Sequence, residues 1–127
     1  MNPIKLSLNT NTHKYPIIIG SNLIKKITRI FENNSLQFKR CLLIVDSNIP
    51  KKNISKIKRS LNKKDLYIYF FKASEVNKNM NYINKILDIL LKKNFSREDC
   101  LLSIGGGITG DIAGFAASLF KRGMKFI

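Results

Sequence analysis

Cys100-Leu101-Leu102-Ser103-Ile104-Gly105-Gly106-Gly107-Ile108-Thr109-Gly110-Asp111-Ile112-Ala113-Gly114-Phe115-Ala116-Ala117 is the stretch that decides the fold. Cys100 to Ile104 is a continuous apolar run of strand length, of the kind found in strands buried on both faces. The small apolar residues beyond Gly110 suit a helix from about Thr109 to Lys121. Between them, Gly105, Gly107 and Gly110 satisfy G-x-G-x-x-G in strand-to-helix context. Residues without Cβ let the backbone turn tightly, with positive φ where the turn needs it, and approach a pyrophosphate closely. The helix that follows offers unpaired N–H groups and the positive end of its dipole. A tight turn with no ligand would use the same glycines, so the surroundings must decide between the two readings.

Working outward, strands and helices alternate. Upstream, Cys41 to Val45 is a second continuous apolar strand, ending in Asp46-Ser47-Asn48. Pro50 then suits a helix start, where its missing N–H costs nothing. Ile54, Ile57 and Leu61 form the apolar stripe of that helix. Leu66 to Phe71 is a strand rich in Tyr, Phe and Ile. A polar connection, Lys72 to Lys78, leads to a helix with Ile83, Ile86, Leu87 and Leu90 on one face. Ser96 to Asp99 turns the chain into the glycine-bearing strand. Downstream, Gly123 is a helix terminator, and Met124 to Ile127 begins another strand. Near the N-terminus, Ile4–Leu8 and Tyr15–Ile19 are strands that can pair as a hairpin. Ser21 then caps a helix carrying Leu23, Ile24, Ile27, Ile30 and Phe31. Repeated strand–helix units with parallel-type strands predict an α/β layered fold of the nucleotide-binding kind. In such a sheet the strand C-terminal ends share one edge. Asp46, Asn48, the Ala73–Lys78 connection and the glycine turn should therefore converge there.

Composition narrows the function classes. The 127 residues are 44% hydrophobic and 24% charged, enough to bury one domain's core and too apolar for a disordered chain. No apolar run reaches the length of a membrane span, and no secretory leader is evident. Cys41 and Cys100 have neither zinc-site nor disulfide-framework spacing, and a reducing cytoplasmic compartment is expected. The net charge is +15, which by itself points to nucleic acid or another anion. Lys, Asn and Ile are abundant together, however, as A+T-rich codon usage would produce. The densest run, Lys51 to Lys64, carries no aromatic to stack on bases, so its lysines read as the wet face of a helix. His13, the sole histidine, sits in a turn cluster and reads as a surface residue.

Several segments resemble the dehydroquinate synthase family, in family order along nearly the whole chain. Gly105-Gly106-Gly107-x-x-Gly110-Asp111-x-x-Gly114-Phe115-x-Ala117 with Lys121-Arg122-Gly123 resembles its glycine segment. Tyr15-Pro16-Ile17-Ile18-Ile19-Gly20, Val45-Asp46-Ser47-Asn48, Glu75-x-x-Lys78 and Arg97-Glu98-Asp99 resemble further segments. Thr109 stands where the family usually has an apolar residue, and Ala73-Ser74 where it has Asp-Gly. Glycerol and iron-type alcohol dehydrogenases share the GGGxxxD core but not the GDxxGFxA continuation.

The resemblance implies a Rossmann-like three-layer α/β domain with a mainly parallel sheet, cut off before a second, helical, metal-binding domain. Residues 1–127 would then be an N-terminal NAD-binding domain incomplete at its C-terminus. It implies the shikimate-pathway lyase reaction of aromatic amino acid (chorismate) biosynthesis: 3-deoxy-D-arabino-heptulosonate 7-phosphate gives 3-dehydroquinate and phosphate. NAD and a divalent metal, zinc or cobalt, serve as cofactors. It assigns NAD binding to Asp46, Asn48, Glu75, Lys78, Gly106, Gly107, Ile108, Thr109, Gly110 and Asp111. Arg122 is assigned to the substrate phosphate of a neighbouring subunit. It places no catalytic residue and no metal ligand within residues 1–127, so these residues alone should be inactive. The partners it implies are a phosphorylated sugar acid and a second subunit in a homodimer, with no specific nucleic acid and no membrane. Local roles compete with these assignments: Asp46 and Arg122 could each cap a helix end, and Lys78 could be one more surface lysine. A small basic anion- or nucleic-acid-binding module, or part of a glycerol or alcohol dehydrogenase relative, is the alternative reading of the chain.

Overall fold

A computed structural model describes residues 2–127. These divide into two compact units, one ending at Gln37 and one spanning Phe38–Ile127.

The first unit holds β1 (Ile4–Asn9) and β2 (Lys14–Ile19), an antiparallel pair in register Ile4↔Ile19 to Asn9↔Lys14. Thr10 closes the turn, its backbone N–H donating to the His13 carbonyl at 2.7 Å. The helix expected after Ser21 begins differently. A 3₁₀ turn occupies Leu23–Lys26, the residue before it is Asn22 in the left-handed region, and α1 follows over Ile27–Asn33. Neither helical piece has a side-chain cap, so no cap outweighs the poorer helix propensity of the β-branched residues in Leu23-Ile24…Ile27-Thr28.

The second unit is the predicted α/β layer structure. β3 (Arg40–Asp46), β4 (Asp65–Phe71), β5 (Cys100–Ile104) and β6 (Lys125–Phe126) form one sheet in the order β4-β3-β5-β6, with every pairing parallel. The connecting helices are α2 (Lys51–Ser60), α3 (Met80–Lys92) and α4 (Gly107–Leu119). From β3 the chain steps outward to β4, then crosses back over β3 to β5. With right-handed crossovers, that reversal puts α2 on one face and α3 and α4 on the other. The core bears this out. Leu42, Ile44 and Leu101 cluster with Ile83, Ile86, Leu90, Ile112, Ala113 and Ala116 of α3 and α4. The alternate strand residues Leu43, Val45 and Leu102, also buried, point to the other face. α2 buries Ile54 and Ile57, with Leu61 just beyond it, and leaves Lys51, Lys52, Lys56, Lys58 and Arg59 in water. The basic run is thus the solvated side of an amphipathic helix.

Two corrections concern helix starts. Pro50 is the residue before the first turn of α2 and not its first helical residue. α4 begins at Gly107, two residues earlier than expected, because an apolar helix with no capping side chain can start directly off the glycines. Cys41 and Cys100 are directly paired across β3 and β5, buried as free thiols. Hydrogen bonding with Cys41, and then burial, push the Cys100 thiol up, so it stays protonated.

One side chain ties the amino ends of the strands together. Arg40 donates to the carbonyls of Asn94, at 2.8 Å, and Lys93, at the end of α3. It pairs with Asp65 at 3.6 Å and Asp99 at 3.7 Å, and its guanidinium lies 4.3 Å from the Phe95 ring centroid. A planar, forked cation satisfies all of these at once, and an ammonium cannot. Arg40→Lys is therefore expected to lower unfolding stability by about 1–2 kcal/mol, read as a drop in denaturation midpoint; an unchanged midpoint would mean that this corner is held by the apolar core alone.

Candidate functional site

β3 and β5 are neighbours, yet their following helices leave on opposite faces of the sheet. That is the switch point of a doubly wound sheet, where a crevice opens at the carboxyl ends of the strands. The order β4-β3-β5-β6 places it between Asp46 and Gly105, the residues next beyond the last paired positions, Val45 and Ile104. The convergence expected from the sequence is realised.

The glycines divide into two kinds. A Cβ on Gly105 would lie 2.7 Å from Thr109 Oγ1, 2.9 Å from Thr109 Cβ and 3.0 Å from Asp46 Cβ. Gly105 is therefore required for packing: it lets the end of β3 close onto the turn. Gly106, Gly107 and Gly110 would meet nothing within 4 Å. Their missing side chains leave open space at the amino end of a 13-residue helix. None of the four has positive φ, so this turn does not draw on glycine's left-handed freedom. Gly114 has its own reason, since a Cβ there would sit 3.0 Å from the Phe126 ring, which lies against α4.

At this helix start Gly106 supplies no side-chain cap, and no acid sits in the first turn. The first helical bond runs from Gly110 N–H to the Gly106 carbonyl at 3.0 Å, so the N–H groups of Gly107, Ile108 and Thr109 precede the ladder. Open space, unbonded donors and the positive helix end are the features that an anion cradle needs. The Thr109 side chain is turned inward instead. It is fully buried beneath Gly105, and its hydroxyl has no hydrogen-bond partner.

The other assigned residues lie at the end of β3, on the β4–α3 connection and on α4. Asp46 Oδ1 accepts from the Asn48 backbone N–H at 3.0 Å and from Asn48 Nδ2 at 3.3 Å. Asp46 thus forms a local turn and does not cap α2, which has no side-chain cap. Glu75 and Lys78 lie exposed on the β4–α3 connection. That connection is braced by two asparagines the sequence reading passed over. Asn77 Nδ2 donates to the Lys72 carbonyl at 2.8 Å, and Asn79 Oδ1 accepts from the N–H of Asn81 and Tyr82 at 3.0 and 3.3 Å, capping α3. An Asn directly before an apolar helical stripe is a capping signal that would have found Asn79. Lys78 Nζ reaches Asp111 Oδ2 at 2.9 Å. The hydrogen bond and charge of Asp111 hold the Lys78 ammonium protonated above the usual lysine range. Beside this pair, Met80, Ile83, Ile112 and Phe115 line a groove of about 430 Å³ between α3 and α4.

Arg122 lies apart. It follows α4 at its far end, about 20 Å from the glycines at 1.5 Å per residue. It is exposed, and it sits in the left-handed region (φ 65) between Lys121 (φ 45) and Gly123 (φ 108). Lys121 and Arg97, rather than Arg122, bond the carbonyls at this corner, those of Phe95 and Gly123. Among the described residues no group of three or more His, Cys, Asp or Glu is placed to hold a metal ion, so these residues do not fit one.

The two kinds of glycine should separate in stability measurements. Gly105→Ala is expected to cost about 1–3 kcal/mol by overpacking, whereas Gly106→Ala should leave the melting temperature close to wild type. Equal losses would show that the turn is under one common constraint. Thr109→Val removes a buried, unpartnered hydroxyl at constant shape and should stabilise the protein by about 1 kcal/mol; a destabilised variant would reveal a partner for that oxygen.

Comparison with known proteins agrees with this geometry. Residues 68–127 match the family model described as 3-dehydroquinate synthase N-terminal. The chain is 54% identical over 127 residues to the 3-dehydroquinate synthase of Pelagibacter ubique, covering 100% of this chain and 34% of that protein. It is 30% identical over 128 residues to that of Bartonella tribocorum, covering 96% of this chain and again 34% of the relative. The chain thus spans about a third of the length of these curated relatives. Among solved structures, a 2-deoxy-scyllo-inosose synthase complexed with carbaglucose-6-phosphate, NAD+ and Co2+ superposes with a TM-score of 0.85 at 18% identity, over 97% of this chain and 34% of that one. Over its whole length the chain is similar to 3-dehydroquinate synthases, and its residues 68–127 match the N-terminal model of that family.

Proposed function

We propose that residues 1–127 are the NAD-binding part of an enzyme that converts 3-deoxy-D-arabino-heptulosonate 7-phosphate into 3-dehydroquinate and phosphate, in the shikimate pathway. The observation that carries the reading is the open cradle of Gly106, Gly107 and Gly110 at the switch point, with Asp46 beside it. The N–H groups of Gly107, Ile108 and Thr109 would donate to pyrophosphate oxygens, favoured by the helix dipole. Asp46, with Asn48 holding one of its oxygens, would accept from the ribose hydroxyls on the adenosine side. Glu75, Lys78 and Asp111 would line the rim, with Lys78 supplying positive charge. The chemistry that NAD supplies when bound is reversible hydride acceptance, which acidifies the C–H beside the oxidised carbon so that phosphate can leave. The divalent metal of such an enzyme, zinc or cobalt, would be held by residues other than those described.

Arg122 would serve a second subunit of a homodimer. A helix length separates it from its own glycine turn, so it fits the substrate phosphate of a neighbour better than a ligand of its own cradle, with its fork matched to a phosphate. Its left-handed backbone supports a functional reason for a non-glycine there. No helix among the described residues is long and apolar enough to cross a membrane. The paired free thiols of Cys41 and Cys100 support a reducing, cytoplasmic setting.

Three outcomes are expected. Gly107→Val fills open space, so it should leave thermal stability within about 1 kcal/mol and abolish NAD binding in the full-length protein. NAD titration of the folded variant checks this, and unchanged affinity would remove the cofactor from this turn. Arg122→Gly relieves a left-handed non-glycine, so it should stabilise by up to about 1 kcal/mol while sharply weakening use of the phosphorylated substrate. Steady-state kinetics beside a thermal melt separate the two effects; full activity in the variant would retire Arg122 as a phosphate ligand. Finally, the purified 127-residue chain should release no phosphate from the heptulosonate phosphate above a metal-chelated control.

A further inference from the structure

We infer that Arg97 is a positioning residue for Arg122: through the Gly123 carbonyl it holds a strained stretch of backbone in the form that presents the Arg122 guanidinium. The inference rests on the reading that Arg122 serves a substrate phosphate, and it gives Arg97 a part in that role without contact to the substrate.

The chain leaves α4 in an unfavourable shape. Phe120, buried, is extended, and the next three residues all have positive φ: 45° at Lys121, 65° at Arg122 and 108° at Gly123. Only the last is a glycine. The other two carry strain that persists only where the surroundings over-determine the backbone. The loop's own bonds do part of this. Gly123 N–H donates to the Phe120 carbonyl at 2.8 Å, and Met124 N–H to the Ala117 carbonyl at 3.0 Å. The rest comes from one short segment, residues 95–98, that meets the loop in matching order. Lys121 Nζ donates to the Phe95 carbonyl at 2.9 Å, Arg97 Nε donates to the Gly123 carbonyl at 3.1 Å, and Lys125 Nζ pairs with Glu98 Oε2 at 3.3 Å. These contacts flank Arg122 on both sides, and its exposed side chain takes no part in them.

Of the three, the Arg97 bond acts where the loop is freest, because Gly123 has no side chain to restrict it. The Lys121 bond fixes the residue before Arg122. The Glu98–Lys125 pair lies beyond the loop with an exposed carboxylate, where an ion pair contributes little. A guanidinium donating to a carbonyl makes a charge-assisted bond, stronger than a neutral one. Arg97 sits on a turn that is itself braced. Buried Asp99 accepts from the Ser96 N–H at 2.7 Å and pairs with Arg40 at 3.7 Å, and Ser96 Oγ accepts from the Glu98 N–H at 3.2 Å. A braced donor thus grips the backbone one residue past Arg122. Without that grip the loop relaxes toward negative φ, and the guanidinium moves with it.

The test combines steady-state kinetics on the heptulosonate 7-phosphate with thermal melts of the full-length protein. The variants are Arg97→Met, Arg97→Gln, Arg122→Gly and the double variant Arg97→Met with Arg122→Gly. Glutamine carries an N–H donor at the reach of Arg Nε but no charge, and methionine has neither donor nor charge. Arg97→Met is expected to raise KM about ten-fold, the scale of one hydrogen bond to a charged group, with kcat much less changed. Arg97→Gln should stay near wild type. In the Arg122→Gly background the methionine change should move KM by less than about two-fold. The melts test the strain separately. Releasing the loop relieves strain at residue 122 only when an arginine stands there, so Arg97→Met should lower the melting temperature more in Arg122→Gly than in wild type. Arg97→Gln as damaging as Arg97→Met would mean that the charge itself meets the phosphate, and would overturn the inference. So would an equal rise of KM in both backgrounds, an unchanged KM in Arg97→Met, or equal losses of melting temperature. Wild type that does not turn over this substrate, or Arg122→Gly with wild-type kinetics, would remove the phosphate reading and the inference with it, and either result is visible before Arg97 is changed.

Discussion

No side chain fits at position 105, and the candidate site is built around that exclusion. The end of β3 and the first turn of α4 both press on the space where a Cβ would stand, within 3.0 Å. With glycine there, Asp46 and the α4 amino end can be close neighbours. β3 and β5 bring them together because the chain, after stepping out to β4, returns across β3. The helices then diverge to opposite faces, and the crevice between them is left for a ligand. A bulkier residue at 105 would push the acid away from the cradle that it borders.

The two edges of the sheet are built by different interactions. At the amino edge Arg40 joins the starts of β3, β4 and β5 to the end of α3 through carbonyls, carboxylates and an aromatic face. Those bonds are satisfied within the protein, and they hold the layers in place. At the carboxyl edge donors are left over, the N–H groups ahead of the α4 ladder, beside glycines that face open space. A rigid edge supports an unsatisfied one, which is the arrangement a binding site needs. Arg122, beyond the far end of α4, belongs to neither set.

Much of the site was legible because its signals are local. Gly105 to Gly110 between an apolar strand and a small-residue helix is a pattern of neighbours in sequence. Asp46 at the end of an apolar run is another. The basic run of α2 declared itself as a wet face through Ile54, Ile57 and Leu61, all buried. What escaped were features set by contacts between distant residues. Gly114 is glycine because Phe126 lies on it, twelve residues away. The Lys78–Asp111 pair joins residues 33 apart, and nothing in either segment foretells the other. The buried Thr109 hydroxyl could not be told from a ligand-facing one without knowing which way the first turn of α4 points.

By itself, then, the sequence determined the succession of strands and helices, the parallel character of the sheet, the family resemblance, and which residues gather at one edge. Those follow from hydrophobic periodicity and turn chemistry, which act over a few residues. Only the tertiary structure decided which glycines serve packing and which leave space, that no positive φ is used in the turn, that Asp46 bonds Asn48 instead of a helix, and that Arg122 stands a helix length from the cradle. Each of these depends on how separate elements close on one another. A side chain's role there is set by the space and the partners that the rest of the fold brings to it.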